Sequence, residues 1–255
     1  FSFLRENIDN VDPSLISKSV KQMIKVMDTN GDNEQLVVVG MSVVCYCLPY
    51  IQQERIFSKI ENFLKNFPNP MDSTAVLSLI LIILDFLLMI DKDLPVVSVT
   101  AFAFKAISKF TNNKDVVEYA TRIIVRTEGS EDVMDIIIKQ QLWTHLTTLN
   151  SRYRDNSTIL SYTLEILSHI AARLKQETDR SALLGNFMNN LECPPLALGA
   201  VLNGIWSLSK YPIDDTYTQI LLDKVPTFLS NKMVDPVICS NALAILNNIV
   251  DKGSF

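Results

Sequence analysis

Apolar residues recur at spacings of three and four along nearly the whole chain, the period of a helix that buries one face. The nearest thing to a strand signal, Leu36-Val-Val-Val39, runs on into a helical pattern, so no strand is predicted. Start signals divide the pattern. Asp12-Pro13 and Asp235-Pro236 each place a capping carboxylate before a proline at the first helical position, and Pro95 and Pro194-Pro195 mark further starts. These signals predict an all-α chain with helices over 13–28, 34–48, 51–66, 72–90, 96–110, 114–127, 132–149, 157–174, 180–191, 196–210, 216–230 and 236–250.

Comparing the helices with one another exposes a repeat. The ladder Leu160, Leu164, Leu167, Ile170 returns 38 residues later as Leu198, Leu202, Ile205, Leu208, and 41 residues further on as Cys239, Leu243, Leu246, Ile249. Upstream, 34–48 pairs with 51–66, 72–90 with 96–110, and 114–127 with 132–149, so six units of roughly 40 residues span the chain. If the ladders face the core, the opposite stripe carries Gly199, Asn203, Trp206 and Lys210 on one helix. The neighbouring repeats add Ser161, Glu165 and Ser168 on one side and Ser240, Asn247 and Asp251 on the other.

The segment TQILLDKVPTFLSNK (218–232) followed by DPVICSNALAILNNIVDKG (235–253) resembles an armadillo repeat, with HEAT repeats as the related alternative. LGAVLNGIWSLSK (198–210) is similar to the Trp-bearing helices of importin-α. The likeness is clearest over 155–253, and residues 1–150 are more divergent. It implies a single domain over 1–255, built as a right-handed α-solenoid of about six armadillo/HEAT-like repeats. It also implies a non-catalytic scaffold that binds an extended peptide or helix of another protein along a concave groove. The groove candidates are then Ser161, Glu165, Ser168, Asn203, Trp206, Lys210, Asn247 and Asp251. A structural subunit domain buried in a multiprotein complex is the alternative, and a divergent nuclear transport adaptor is a third. The importin-α pattern sets Trp and Asn four residues apart on successive inner helices. Here Lys210 follows Trp206 at that spacing, and the corresponding Ser168 and Asn247 have no Trp beside them, which argues against recognition of nuclear-localisation signals.

Composition adds exclusions. With 48% hydrophobic residues and 20% charged, the chain is far from the composition of disordered segments. Only 7 glycines in 255 residues disfavour turn-rich β folds and phosphate-binding loops. A net charge of −5 with no Lys/Arg cluster gives no footprint for nucleic acid. Cys45, Cys47, Cys193 and Cys239 sit in apolar runs at irregular spacing and read as reduced core thiols of a cytoplasmic or nuclear protein. The chain opens at Phe1 without a signal-peptide pattern and reads as a segment of something longer.

The candidate chemistry is sparse. Asp28, Asn30 and Asp32 match the first positions of a calcium loop, but Asn33 stands where glycine should turn the chain and Val39 where a bidentate Glu should close the site. A polar inter-helix loop is therefore expected. Cys45 and Cys47, two apart on a helix, point about 200° from each other and cannot share a tetrahedral metal. His145 and His169 lie in separate helices without ligand partners, and Asn156-Ser-Thr158 reads as a helix cap rather than a glycosylated sequon. No nucleophile elbow, phosphate loop or carboxylate pair beside a His is present, so neither an enzyme nor a cofactor or metal site is expected. Thr74–Ile90 holds one charge, Asp85, in 17 otherwise nearly apolar residues. It is short for a membrane span and is expected to be a helix buried between neighbours.

Overall fold

The computed structural model describes residues 8–51, 59–60, 62–64, 71–90, 94–229 and 235–251. Among these residues the chain is all-helical, with twelve α-helices, two short 3-10 turns and no strand. It divides into two compact units, residues 1–126 and 127–255.

In the first unit α1 (Pro13–Thr29), α2 (Glu34–Cys47), α3 (Thr74–Ile90) and α4 (Val96–Lys109) lead into α5 (Lys114–Thr127), whose last residue begins the second unit. The starts follow local chemistry. Asp12 accepts the Ser14 amide at 2.8 Å with Pro13 behind it, and Asn33 accepts the Leu36 amide at 3.1 Å. The polar loop between α1 and α2 is therefore residues 30–33, shorter than expected because Asp28 and Thr29 still belong to α1. Asn33 is a helix cap, and Asn30 donates back to the Val26 carbonyl at 2.9 Å. α1 buries Ile16, Val20, Ile24 and Met27 against α2, α2 packs on α3, and α3 on α4. α3 turns Val76, Leu77, Ile80, Leu81, Ile83 and Leu87 inward, as expected of a buried helix. The predicted helix over 51–66 falls largely outside the described residues, although 59–60 and 62–64 are helical.

The second unit holds α6 (Glu131–Lys139), α7 (Trp143–Arg152), α8 (Ser157–Ala171), α9 (Glu177–Met188), α10 (Pro195–Ser209), α11 (Asp215–Leu229) and α12 (Pro236–Asp251). α8, α10 and α12 pack side by side in a row. α7 lies on α8, α9 on α8 and α10, and α11 on α12. Helices of one class recurring in a row, with partners behind them, give the unit a repeat-like construction.

Two expectations change here. The helix predicted over 132–149 is two helices, α6 and α7, because Gln141 takes a left-handed conformation at φ 53°. Gln141 and Leu142 then donate backward to the carbonyls of Ile138 and Ile137 at 3.1 and 2.9 Å, a C-terminal lock usually built on glycine. The ladder on α12 is also out of phase. Leu160, Leu164, Leu167 and Ile170 are all at 0% exposure, and Leu202, Ile205 and Leu208 at 2% or less, while Leu198 is half-buried. On α12, however, the buried residues are Ala242, Ile245 and Ile249, Cys239 and Leu246 are only half-buried, and Leu243 is 58% exposed. α10 is held between α8 and α12, whereas among the described residues α12 packs chiefly on α10 and α11. Its buried stripe is correspondingly narrow and rotated by a residue.

Candidate functional site

The predicted stripe lies entirely on α8, α10 and α12 of the second unit, and the structure sorts its members. Trp206 is half-buried, with the Lys210 ammonium 4.1 Å from its ring centroid. A cation over an indole face holds both groups in a fixed arrangement open to solvent. Ser168 is buried at 2% exposure, donates to the Glu165 carbonyl at 2.8 Å and accepts from the Asn203 amide at 3.3 Å, so it braces α8 against α10. Asn247 and Asp251 are exposed and bonded to each other at 2.9 Å within α12. Ser161 and Glu165 are half-buried on α8. The structure thus pairs Ser168 with Asn203, Trp206 with Lys210 and Asn247 with Asp251, one pair bridging two helices and the other two lying within one.

Three features escape a sequence reading. Asn248 donates to Ser209 at 2.8 Å, binding α12 to α10 as Asn203 and Ser168 bind α10 to α8. Thr163 donates to Asn150, whose amide donates to Asn186 at 2.8 Å, linking α8, α7 and α9 through buried polar groups. Their signal in the sequence is faint: small polar residues at otherwise apolar helical positions. Third, Glu128 bonds His169 Nδ1 at 3.0 Å from a side chain only 10% exposed, while its second oxygen is buried without a partner. That bond raises the His169 pKa above its ordinary value. Partial burial, reinforced by the nearby Glu128 charge, raises that of Glu165. The α8 end of the stripe therefore carries an acidic character that protonation of His169 offsets.

The first unit has its own charged constellation. Asp85, at 3% exposure in the middle of α3, is held by Arg122 Nη2 at 2.7 Å and by Arg126 Nε at 2.5 Å, both from α5. The ionised carboxylate sits inside an apolar helix because two guanidinium groups replace the water it lost. Cys45 is half-buried against the α3 backbone and donates to Leu79 O at 3.7 Å. Burial pushes its thiol up to about 12 and that of Cys193 to about 11, so both stay protonated near neutrality. All four cysteines are free.

Among the described residues no helix is long and apolar enough to cross a membrane, and no group of three or more His, Cys, Asp or Glu could hold a metal ion. A surface cleft of about 680 Å³ in the second unit is lined by Asp135, Lys139, Arg173, Asp179 and Tyr211, none of them a stripe residue. No protein-family model matches the chain, and no curated protein matches it. Among solved structures, it is similar to the crystal structure of an engineered protein from the Northeast Structural Genomics Consortium. The TM-score is 0.62 at 12% identity, covering 91% of this chain and 97% of that one. A likeness at that identity concerns the fold: the chain is an all-helical protein of repeat-like build.

Proposed function

We propose that the chain is a non-catalytic scaffold of armadillo/HEAT-like type that holds a segment of another protein across the α8–α10–α12 row. The observation that carries this reading is the half-buried Trp206 with Lys210 stacked on it, set on the middle helix of a row braced by Asn203–Ser168 and Asn248–Ser209. An aromatic group already fixed in place loses little freedom on binding, which is how a rigid helical surface captures a flexible partner. The Asn203 amide is committed to Ser168 and is a brace in the free protein. On this reading Glu165, Trp206, Lys210, Asn247 and Asp251 are the residues that meet the ligand. The solenoid handedness, the count of six repeats and a cytoplasmic or nuclear setting belong to this proposal.

The test is affinity capture with the full chain, comparing Trp206→Ala and Glu165→Lys with Thr148→Ala on α7. Proteins lost with the first two and retained with the third support the stripe. Unchanged recovery from variants that keep their helical circular dichroism discards it and favours the structural-subunit reading.

A further inference from the structure

The constellation around Asp85 holds more positive charge than its carboxylate can use. Each arginine spends one nitrogen on Asp85: Arg122 Nη2 on one oxygen and Arg126 Nε on the other. A guanidinium has five N–H donors in a planar fork, so most of the donors of both remain. Arg122 Nε is buried without an acceptor, and the group lies over the Tyr119 ring at 4.9 Å, which fixes its plane. The side chains are 30% and 35% exposed, so the fork edges are neither sealed in the core nor free in solvent. Among the described residues, Asp85 is the carboxylate within ion-pair distance of either arginine. Glu118 and Asp115 on the same helix act on Tyr119 electrostatically, yet pair with neither. One arginine would neutralise Asp85; among the described residues the second has no other carboxylate within ion-pair distance.

We infer that Arg122 and Arg126 form a binding site for an oxyanion presented by a partner, a carboxylate or a phosphoryl group, with Asp85 as the internal anion that pre-orients both forks. Planar forks match the two oxygens of such groups better than ammonium groups do, and holding them in place in advance removes the entropy cost of gathering them. The site lies wholly in the first unit and does not rest on the Trp206 stripe. It predicts a behaviour that a purely structural ion pair does not. The Asp85 charge repels an incoming anion even while it orients the forks, so neutralising it should tighten anion binding at the donors that remain.

The experiment follows the arginine Nε–H signals of the full chain by NMR at constant ionic strength, adding inorganic phosphate in one series and a tetraglutamate peptide in another. A saturable shift confined to Arg122 and Arg126 is expected, with affinity falling about tenfold or more in Arg126→Gln, where the Arg122–Asp85 pair persists. In Asp85→Asn the affinity should rise. Saturation by phosphate alone assigns a phosphoryl ligand, and saturation by the peptide alone assigns an acidic side chain. The inference is overturned if neither probe saturates these signals, if they respond no differently from exposed Arg154, or if Arg126→Gln binds as the parent does. Should Asp85→Asn lose its fold, the Arg126→Gln comparison decides alone.

Discussion

Both units solve the same packing problem, bringing two helices closer than side chains normally allow, and they solve it with different materials. In the first, Gly40 on α2 receives Met27 of α1, whose sulfur lies 2.5 Å from where a Cβ would stand. In the second, Gly204 on α10 receives the ring of Phe187 from α9, with Cζ at 2.3 Å from that position. A methionine can bend out of the way, but a fully buried ring cannot. The charges differ in the same sense. Asp85 in the first unit is saturated by two arginines that stay charged at any ordinary pH, while Glu128 in the second relies on one histidine that does not. The first unit is therefore forgiving in its packing and fixed in its charges, and the second is the reverse.

The contrast breaks most visibly if the arginines are removed together. Arg122→Met/Arg126→Met leaves a buried carboxylate alone, and chemical denaturation should show a loss of about 3–5 kcal/mol; a loss under about 1 kcal/mol would mean that the two arginines do not stabilise the first unit through Asp85. Next come the glycines. Gly204→Ala should cost about 2 kcal/mol through the displaced Phe187 ring, and Gly40→Ala less than about 1 kcal/mol, because methionine yields and alanine favours the helix. Equal costs would erase the distinction between the two packings. Smaller than the Gly204 effect are those of the caps Asn33 and Asn156, which accept the Leu36 and Ile159 amides at 3.1 Å in their respective units. Asn→Ala at either should cost about 1 kcal/mol by thermal unfolding, a matched pair on which the units ought to agree.

The weakest expected effect is that of pH. His169 has a folded pKa raised above its ordinary 6.5, so the bond to Glu128 stabilises the fold fully below that pH and is lost as pH rises through the folded value. Glu165, raised above its ordinary 4.5, acts in the same direction, penalising the fold once ionised. The parent's unfolding midpoint should fall modestly between about pH 6 and 8, and His169→Gln should flatten that slope. An unchanged slope in the variant would remove the second unit's pH sensitivity from the comparison.

Much of the helical frame was legible because its signals are local. Asp12, Asp235 and Asn156 act within three residues of themselves, and each caps the helix expected of it. The break at Gln141 was not legible, since it needs a left-handed backbone at a residue that does not advertise one. Of the stripe, the residue types and their shared face could be read. That Ser168 is buried and spent on bracing could not, because its exposure depends on Asn203 reaching it from 35 residues away. Glu128 was invisible as a member because it lies just beyond the end of a different helix.

The sequence by itself determined the helical class, most helix starts and a spacing of roughly 40 residues, all consequences of interactions within a turn or two of the chain. Tertiary structure alone decided which residues of α12 turn inward, why Asp85 can be charged inside an apolar helix, and which polar residues brace the row. Arg126 lies 41 residues from Asp85 along the chain, and burial depends on the helices packed on either side. Local preference sets where each helix begins, but the free energy of a buried charge or an exposed Leu243 is set by neighbours that only folding supplies.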